Sequence, residues 1–461
     1  MAGPLAGLSQ SNVMYGRIYF FLMALPMWVF GVDIFALRAV SLLCGLGSLG
    51  LLYLLVRDLV NKKVALCTVV IFGITNDFIR HSHDMRPEMM QILFTLGALY
   101  VFVRAGLRGS RALYLISGLL AGLSLDIHLN GMALLVGFLI AVLAHFRWRV
   151  GTPALHTTLV GILCGLFWWW LIHFAVDPGL FILQWREYWG TIRTAPIFSS
   201  LNPLNWIQQE AQRYIQFFWH STMHLDLIFL GIFILAIVTG ILRRSQQDNF
   251  ILWMLGGSTL GFTLLLGSKN AYYVILLYPY LVYLTARWFC QQNRKRYIKV
   301  LRCCTAGIFI LYALVLDIGV LIRYREAGRE RFQGFIQAVQ RHIPKGSVVL
   351  AQPVYWFGFV DQPFYTYLYL TFIPYGPQDV RERLGSSFEE AILKLGVDYL
   401  IVDDLLVGFM IRGCKMFSEE GFKDFIQRCT SLVGQVRDPF YGGTTVIRPS
   451  GHIVQIYRIK G

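Results

Sequence analysis

Three polar clusters interrupt an apolar chain, and their residue types are those of proton transfer and phosphate binding. The first is Arg80-His81-Ser82-His83-Asp84-Met85-Arg86-Pro87-Glu88. The second is Asp126-Ile127-His128-Leu129-Asn130-Gly131, and the third Gly267-Ser268-Lys269-Asn270 followed by Tyr272 and Tyr273. The carboxylates Asp84, Glu88 and Asp126 suit a general base or a cation ligand, while Arg80, Arg86 and Lys269 suit phosphate oxygens. His81 and His83 beside Asp84 also read as a chelate, so a divalent metal stays open as a cofactor although no partner motif accompanies them. The plainer readings are that Asp84 and Arg86 pair at an interface and that His128 and His173 are satisfied at helix ends or in the core. Ionisable groups at membrane depth are expensive and tend to face a protein-lined cavity. Three such clusters at helix ends on one face favour a shared site.

The elements that must position these clusters are membrane helices. The 461 residues are 56% hydrophobic and 15% charged, with a mean hydropathy of +0.55, which excludes a soluble two-domain protein. Apolar segments at 40–56, 64–78, 89–103, 113–125, 132–144, 155–176, 225–242, 251–266, 271–286 and 305–322 predict about ten transmembrane helices. Several are shorter than the roughly 20 residues a perpendicular helix needs. The connections 57–63, 104–111, 147–149, 243–248 and 287–302 carry about sixteen Lys and Arg against Asp58 and Asp248, so the positive-inside rule makes them cytoplasmic and puts the three clusters outside. The formal charge of +15 is therefore an orientation signal with some attraction for anionic lipid headgroups. No basic stripe interleaved with aromatics is left for a nucleic acid.

Residues 18–30, about 13 in number and led by Arg17, fall below spanning length and predict a helix lying on the outer interface. Residues 1–38 then form an outer juxtamembrane segment. Residues 1–14 have neither the basic start nor the long apolar core of a signal peptide, and a leading span is expected ahead of them. Residues 39–322 form the transmembrane domain. Its long outer loop, 177–224, carries Trp185, Trp189, Trp206 and Trp219, which suit either a lid or an interfacial belt. Residues 323–461 turn to soluble patterning. An amphipathic helix over 328–343, short strands over 347–351, 399–402 and 453–459, and a Ser387/Glu390 capping box opening a helix over 388–395 predict a small extracytoplasmic α/β domain. The expected fold class is an α-helical polytopic membrane protein with that domain at its C-terminus. Of the eight cysteines, Cys44, Cys67 and Cys164 fall in spans as small hydrophobes, whereas Cys414 and Cys429 in the tail invite a disulfide.

Taken in order, these residues resemble the GT-C polytopic glycosyltransferases of the protein O-mannosyltransferase and aminoarabinose lipid A transferase type, a glycosyltransferase family 39-like pattern. Tyr15-Gly16-Arg17-Ile18-Tyr19-Phe20 through Phe30-Gly31-Val32-Asp33-Ile34-Phe35-Ala36-Leu37-Arg38 looks like the family's juxtamembrane helix and the start of the following span. Arg86-Pro87-Glu88 looks like its Arg-x-Asp/Glu element, and His128-Leu129-Asn130-Gly131 like its Lys-Gly or His-x-Asn-Gly turn. Lys269 with Tyr273 and Pro279 looks like its Lys-x-x-x-Tyr element. The likeness covers residues 15 to about 280 and, more loosely, the tail. It implies an integral membrane enzyme that moves a hexose or pentose from a polyprenyl-phosphate donor to a lipid, glycan or protein acceptor at the outer face, with inversion at the sugar carbon. Arg17, Arg86 and Lys269 would then stabilise the departing phosphate, and Arg80, Asp126, His128, Asn130 and Tyr273 complete the expected substrate-binding set. The family's catalytic Asp, in an Asp-Glu pair after the first span, has no counterpart, since residues 1–32 contain no acid. Glu88, which matches a second family acid, and Asp84 are the remaining candidates for the base. Competing classes are a transporter or flippase of a lipid-linked or anionic substrate, which predicts inverted repeats and broken midplane helices not seen here, and a truncated, inactive relative. A membrane scaffold predicts that Glu88, Asn130 and Lys269 do not converge.

Overall fold

The computed structural model describes residues 16–185, 202–219, 226–243, 245–266, 271–291, 296–326, 329–367, 370, 373, 378–385, 387–403, 418–438 and 452–460. Helix α1 (Arg17–Phe30) turns Phe21, Trp28, Val29 and Phe30 outward, as a helix bedded in an interface requires. After it, Asp33 caps α2 (Ile34–Leu59) by accepting from Phe35 N at 2.8 Å, and Asn61 caps α3 (Lys62–Gly73) by accepting from Val64 N at 2.9 Å. Helices α4 (Asn76–His83), α5 (Glu88–Arg108), α6 (Arg111–Leu123), α7 (Gly131–His145), α8 (Pro153–His173) and α9 (Pro178–Gln184) follow. Gly109, left-handed at φ 63°, ends α5 before Ser110 caps α6, a reversal that suits glycine. The bundle continues with α10 (Pro203–Trp219), α11 (Asp226–Arg243), α12 (Gln246–Leu265), a 3-10 stretch Ala271–Leu277, α13 (Tyr278–Cys290) and α14 (Arg296–Glu326).

Each of the ten apolar segments falls on a helix. Among the described residues, Ile34–Leu59, Glu88–Arg108, Pro153–His173 and Tyr272–Cys290 are long and apolar enough to cross a membrane by themselves. Segment 64–78, expected as one span, is instead two helices, α3 and α4, meeting at 66°. The break has a physical cause. Thr75 is extended (φ −74°, ψ 134°) and α4 is mostly polar, so a straight continuation would carry Asp77, Arg80, His81 and His83 along the span. The bend is held by Tyr278, which donates to Asp77 Oδ2 at 2.7 Å.

Glycines set how closely the helices approach. Gly118 and Gly122 on α6 face Gly161 and Gly165 on α8. A Cβ on Gly118 would overlap the Thr158 carbonyl oxygen, one on Gly161 the Leu115 carbonyl oxygen, and one on Gly122 would sit 2.6 Å from Ile162 O. The same small-xxx-small logic joins α7 to α12 through Ala133, Gly137, Gly257 and Gly261, where a Gly261 Cβ would meet Ala133 Cα at 2.7 Å. Since the obstacle is backbone, Gly161→Val is expected to destabilise the bundle by about 3 kcal/mol or more, read as a lower midpoint of thermal unfolding in detergent. An unchanged midpoint would mean that α6 and α8 do not cross here.

The carboxy-terminal residues build a five-stranded sheet of order β2-β1-β3-β5-β4. Strands β1 (Val349–Ala351), β2 (Phe364–Thr366) and β3 (Tyr399–Val402) are parallel, and β4 (Thr430–Asp438) and β5 (His452–Ile459) join antiparallel at the β3 edge. The anticipated helices appear as α15 (Arg329–Gln340) and α17 (Phe388–Lys394), with Ser387 Oγ accepting from Glu390 N at 3.1 Å, and α16 (Gln378–Leu384) lies between them. Helix α18 (Glu419–Cys429) runs directly into β4. One face of the sheet packs on Phe332, Phe335, Ile336 and Val339 of α15, and this core takes in Ile34 at the start of α2 with Phe35 and Met85 against it. The sheet therefore sits on the end of the bundle that carries the first polar cluster. Cys414 lies outside the described residues, and Cys429 Sγ is 3.7 Å from Glu389 Oε1.

Candidate functional site

Glu88 opens α5 directly behind Pro87, where the helix N-terminus favours an acid. Its side chain is fully buried, and Arg86 clamps it: Nε lies 3.1 Å from each carboxylate oxygen and Nη2 2.5 Å from Oε1. Arg86 also lies 5.0 Å from the centroid of the Tyr272 ring, and Arg80 lies 4.8 Å from the same ring while donating to the Tyr272 hydroxyl at 3.2 Å. Two guanidinium groups thus share one aromatic ring, a partly exposed cation–π pairing that orients both heads. Asp84 stands apart from this clamp. Its side chain is 38% exposed and its ion-pair partner among the described residues, Arg80 Nε, is 3.9 Å away.

The second cluster joins the first through α5. Gln91 donates to the His128 carbonyl at 2.8 Å, His128 Nδ1 accepts from Asn130 N at 3.1 Å, and the His128 ring lies 5.9 Å from that of Tyr273. Asp126 behaves differently from the expected ligand. It is fully buried, and its oxygens accept from Arg17 N and Ile18 N at 3.2 Å each and from Trp168 Nε1 at 3.3 Å, with His173 Nε2 at 2.8 Å. It caps α1 from a distance of 109 residues in sequence. Gly16 is required there, because a Cβ would overlap the Asp126 carbonyl. Arg17 offers its backbone to Asp126, and its side chain is exposed.

His81 and His83 each turn Nδ1 back to their own helix, on the carbonyls of Asp77 and Ile79. Among the described residues no three His, Cys, Asp or Glu side chains gather as a metal-ligand set. The first polar cluster is helical up to His83, and on a helix neighbours two apart diverge. Lys269 lies outside the described residues.

Sequence reasoning missed Arg213. It sits on α10, within the segment 177–224 read as a loop, and is 1% exposed, paired with Glu210 and stacked 4.8 Å from the Phe262 ring centroid. Burial pulls its guanidinium down to about 10, partly offset by Tyr214 and Tyr273, so it stays charged at neutral pH. Its Nε and Nη1, together with His81 Nε2 and Asn130 Nδ2, are buried nitrogens with no hydrogen-bond partner among the described residues. Buried polar nitrogens of this kind are costly to leave unmatched. The strongly amphipathic pattern of 203–219 was the available signal.

The site is therefore a buried carboxylate with two arginines on one tyrosine, a histidine–asparagine turn and a third arginine on a neighbouring helix, at the sheet-bearing end of the bundle. Residues 17–170 match the family model described as dolichyl-phosphate-mannose-protein mannosyltransferase. No curated protein matches the chain in sequence. In fold it is similar to ArnT from Cupriavidus metallidurans in the apo state, with a TM-score of 0.63 and 13% identity over 96% of this chain and 88% of that one. The same enzyme bound to undecaprenyl phosphate gives a TM-score of 0.56 at 12% identity and the same coverage. Matching that family over its amino-terminal third and ArnT over nearly its whole length, the chain has the fold of the GT-C membrane glycosyltransferases of the protein O-mannosyltransferase and ArnT type.

Proposed function

We propose that this chain transfers a sugar from a polyprenyl-phosphate donor to an acceptor on the outer side of the membrane, with about ten helices crossing the bilayer and the carboxy-terminal α/β domain standing over the site. The observation that carries the reading is the pairing of Arg80 and Arg86 on the Tyr272 ring, with the buried Arg213 on a helix packed against the 3-10 stretch that bears Tyr272 and Tyr273, beside carboxylates and buried unmatched nitrogens. In the proposed reaction a base takes the proton of the acceptor hydroxyl, whose oxygen attacks the sugar C1. The C1–O bond to phosphate breaks, and its electron pair leaves on the lipid phosphate. The arginines neutralise that growing charge, which in a water-poor site is the largest part of catalysis. Asp84 is the base in this scheme, because it is accessible and only loosely paired, whereas Glu88 holds Arg86 in place. His128 and Asn130 bound the sugar side.

The test is the whole chain in liposomes with a labelled polyprenyl-phosphate sugar. Cleavage of the donor with transfer of label is expected, and Arg80→Gln is expected to weaken donor affinity about tenfold, the effect of one charge-assisted hydrogen bond. Movement of intact donor across the bilayer without cleavage would favour the flippase reading and remove the transferase one.

A further inference from the structure

The end of the bundle opposite this site carries a second concentration of arginine that the proposed transfer does not use. Arg243 ends α11, Arg287 lies in the last turn of α13, and Arg302 lies early in α14. Arg243 and Arg287 share one carboxylate, Asp248, which is fully buried. Its oxygens already accept from Arg243 Nη1 at 2.8 Å, Arg287 Nε at 3.1 Å and the Tyr283 hydroxyl at 2.8 Å. Arg302 is 7% exposed, stacks 5.8 Å from the Trp288 ring centroid and donates to the carbonyl and side-chain oxygens of Gln291. It finds no carboxylate among the described residues. Three guanidinium groups thus stand against one acid, and residues 292–295 add Arg294 and Lys295 but no acid. Arg243 Nε and Nη2 and Arg302 Nε are buried without a hydrogen-bond partner among the described residues.

Uncompensated buried positive charge with unmatched N–H groups is strongly unfavourable. Among the described residues Asp248 is the acid that pairs with these arginines, through Arg243 and Arg287, whereas basic pockets between helices at the positive end of a membrane protein are suited to acidic lipid heads. We propose that Arg243, Arg287 and Arg302 form a phosphate-binding site for an anionic phospholipid at the basic end of the bundle, the phosphate oxygens accepting from the unmatched N–H groups. Glycerophospholipid heads and free inorganic phosphate share this chemistry; the lipid is favoured because the three arginines lie at or near the ends of apolar helices, where a bilayer presents its headgroups.

The experiment is native mass spectrometry of the full chain, delipidated in neutral detergent and titrated with phosphatidylglycerol or phosphatidylcholine, with inorganic phosphate as competitor. Phosphatidylglycerol is expected to be retained at least about tenfold more tightly than phosphatidylcholine, and Arg302→Gln to reduce its retention about tenfold. Equal retention of the two lipids, or an unaffected Arg302→Gln, overturns the proposal. Displacement by equimolar inorganic phosphate overturns the lipid as the source. Should Arg302→Gln fail to fold, crosslinking of a photoreactive phosphatidylglycerol to the parent takes its place. Label on peptides bearing Arg243, Arg287 or Arg302 supports the site, and label elsewhere overturns it.

Discussion

Asp84→Asn is expected to lower sugar transfer by about 10²- to 10⁴-fold, the usual worth of a positioned general base, while shifting stability by no more than about 0.5 kcal/mol. The two carboxylates of the first cluster differ in what they are free to do. Glu88 has no exposed side-chain surface and both its oxygens are taken by Arg86; accepting a proton would undo a buried pair. Asp84, 38% exposed and 3.9 Å from Arg80, can exchange a proton without such a penalty. Glu88→Gln should behave otherwise. Arg86, whose side chain is 34% exposed, is left partly solvated, so the loss is about 1.5–3 kcal/mol, that of a charge-assisted hydrogen bond, and its signature is a lower melting midpoint and weaker donor binding. Turnover and melting measured side by side separate the two. A Glu88→Gln enzyme that melts like the parent but does not turn over, next to an active Asp84→Asn, would exchange the two roles.

How much of this was legible in the sequence depended on whether a residue's chemistry clashed with its surroundings. Arg80, Arg86, Glu88, His128 and Asn130 stand out because charge and amide groups flank long apolar runs, and the structure links them into one network through Tyr272, Tyr273 and Gln91. Arg213 and Glu210 were invisible for the opposite reason. They lie in a segment of mixed polarity where a charge looks solvated, and only the packing of α10 on its neighbours buries them. The bend between α3 and α4 could have been read from Thr75-Asn76-Asp77, residues that prefer to start helices. The Gly118/Gly122 and Gly161/Gly165 pairs likewise announce a close crossing, which hydropathy averages away. Strand β4 was missed because Thr430–Asp438 carries a glycine at its register shift and few apolar residues.

Asp126 is where the reading by residue type went furthest from the geometry, and it makes the second strong prediction. A carboxylate in the middle of a polar cluster looks like a ligand for substrate, yet here it receives two backbone N–H groups of α1, Trp168 and His173. Asp126→Ala removes this acceptor from four donors and strips the cap from α1. The expected loss is about 4 kcal/mol, within the range for breaking a buried charged pair. Asp126→Asn, which keeps the shape and one oxygen, should lose only about 1–2 kcal/mol. Because Tyr19 on α1 donates to the Met85 carbonyl at 3.0 Å, a loosened α1 also frees the segment that bears Asp84 and Arg86. The substitution should therefore raise KM for the donor as well as lower the melting midpoint. Hydrogen exchange at the amides of Arg17 and Ile18 reads the cap directly: fast exchange in Asp126→Ala and protection in the parent are expected. If those amides stay protected and stability is unchanged while activity alone disappears, Asp126 belongs to the substrate, as its residue type first suggested.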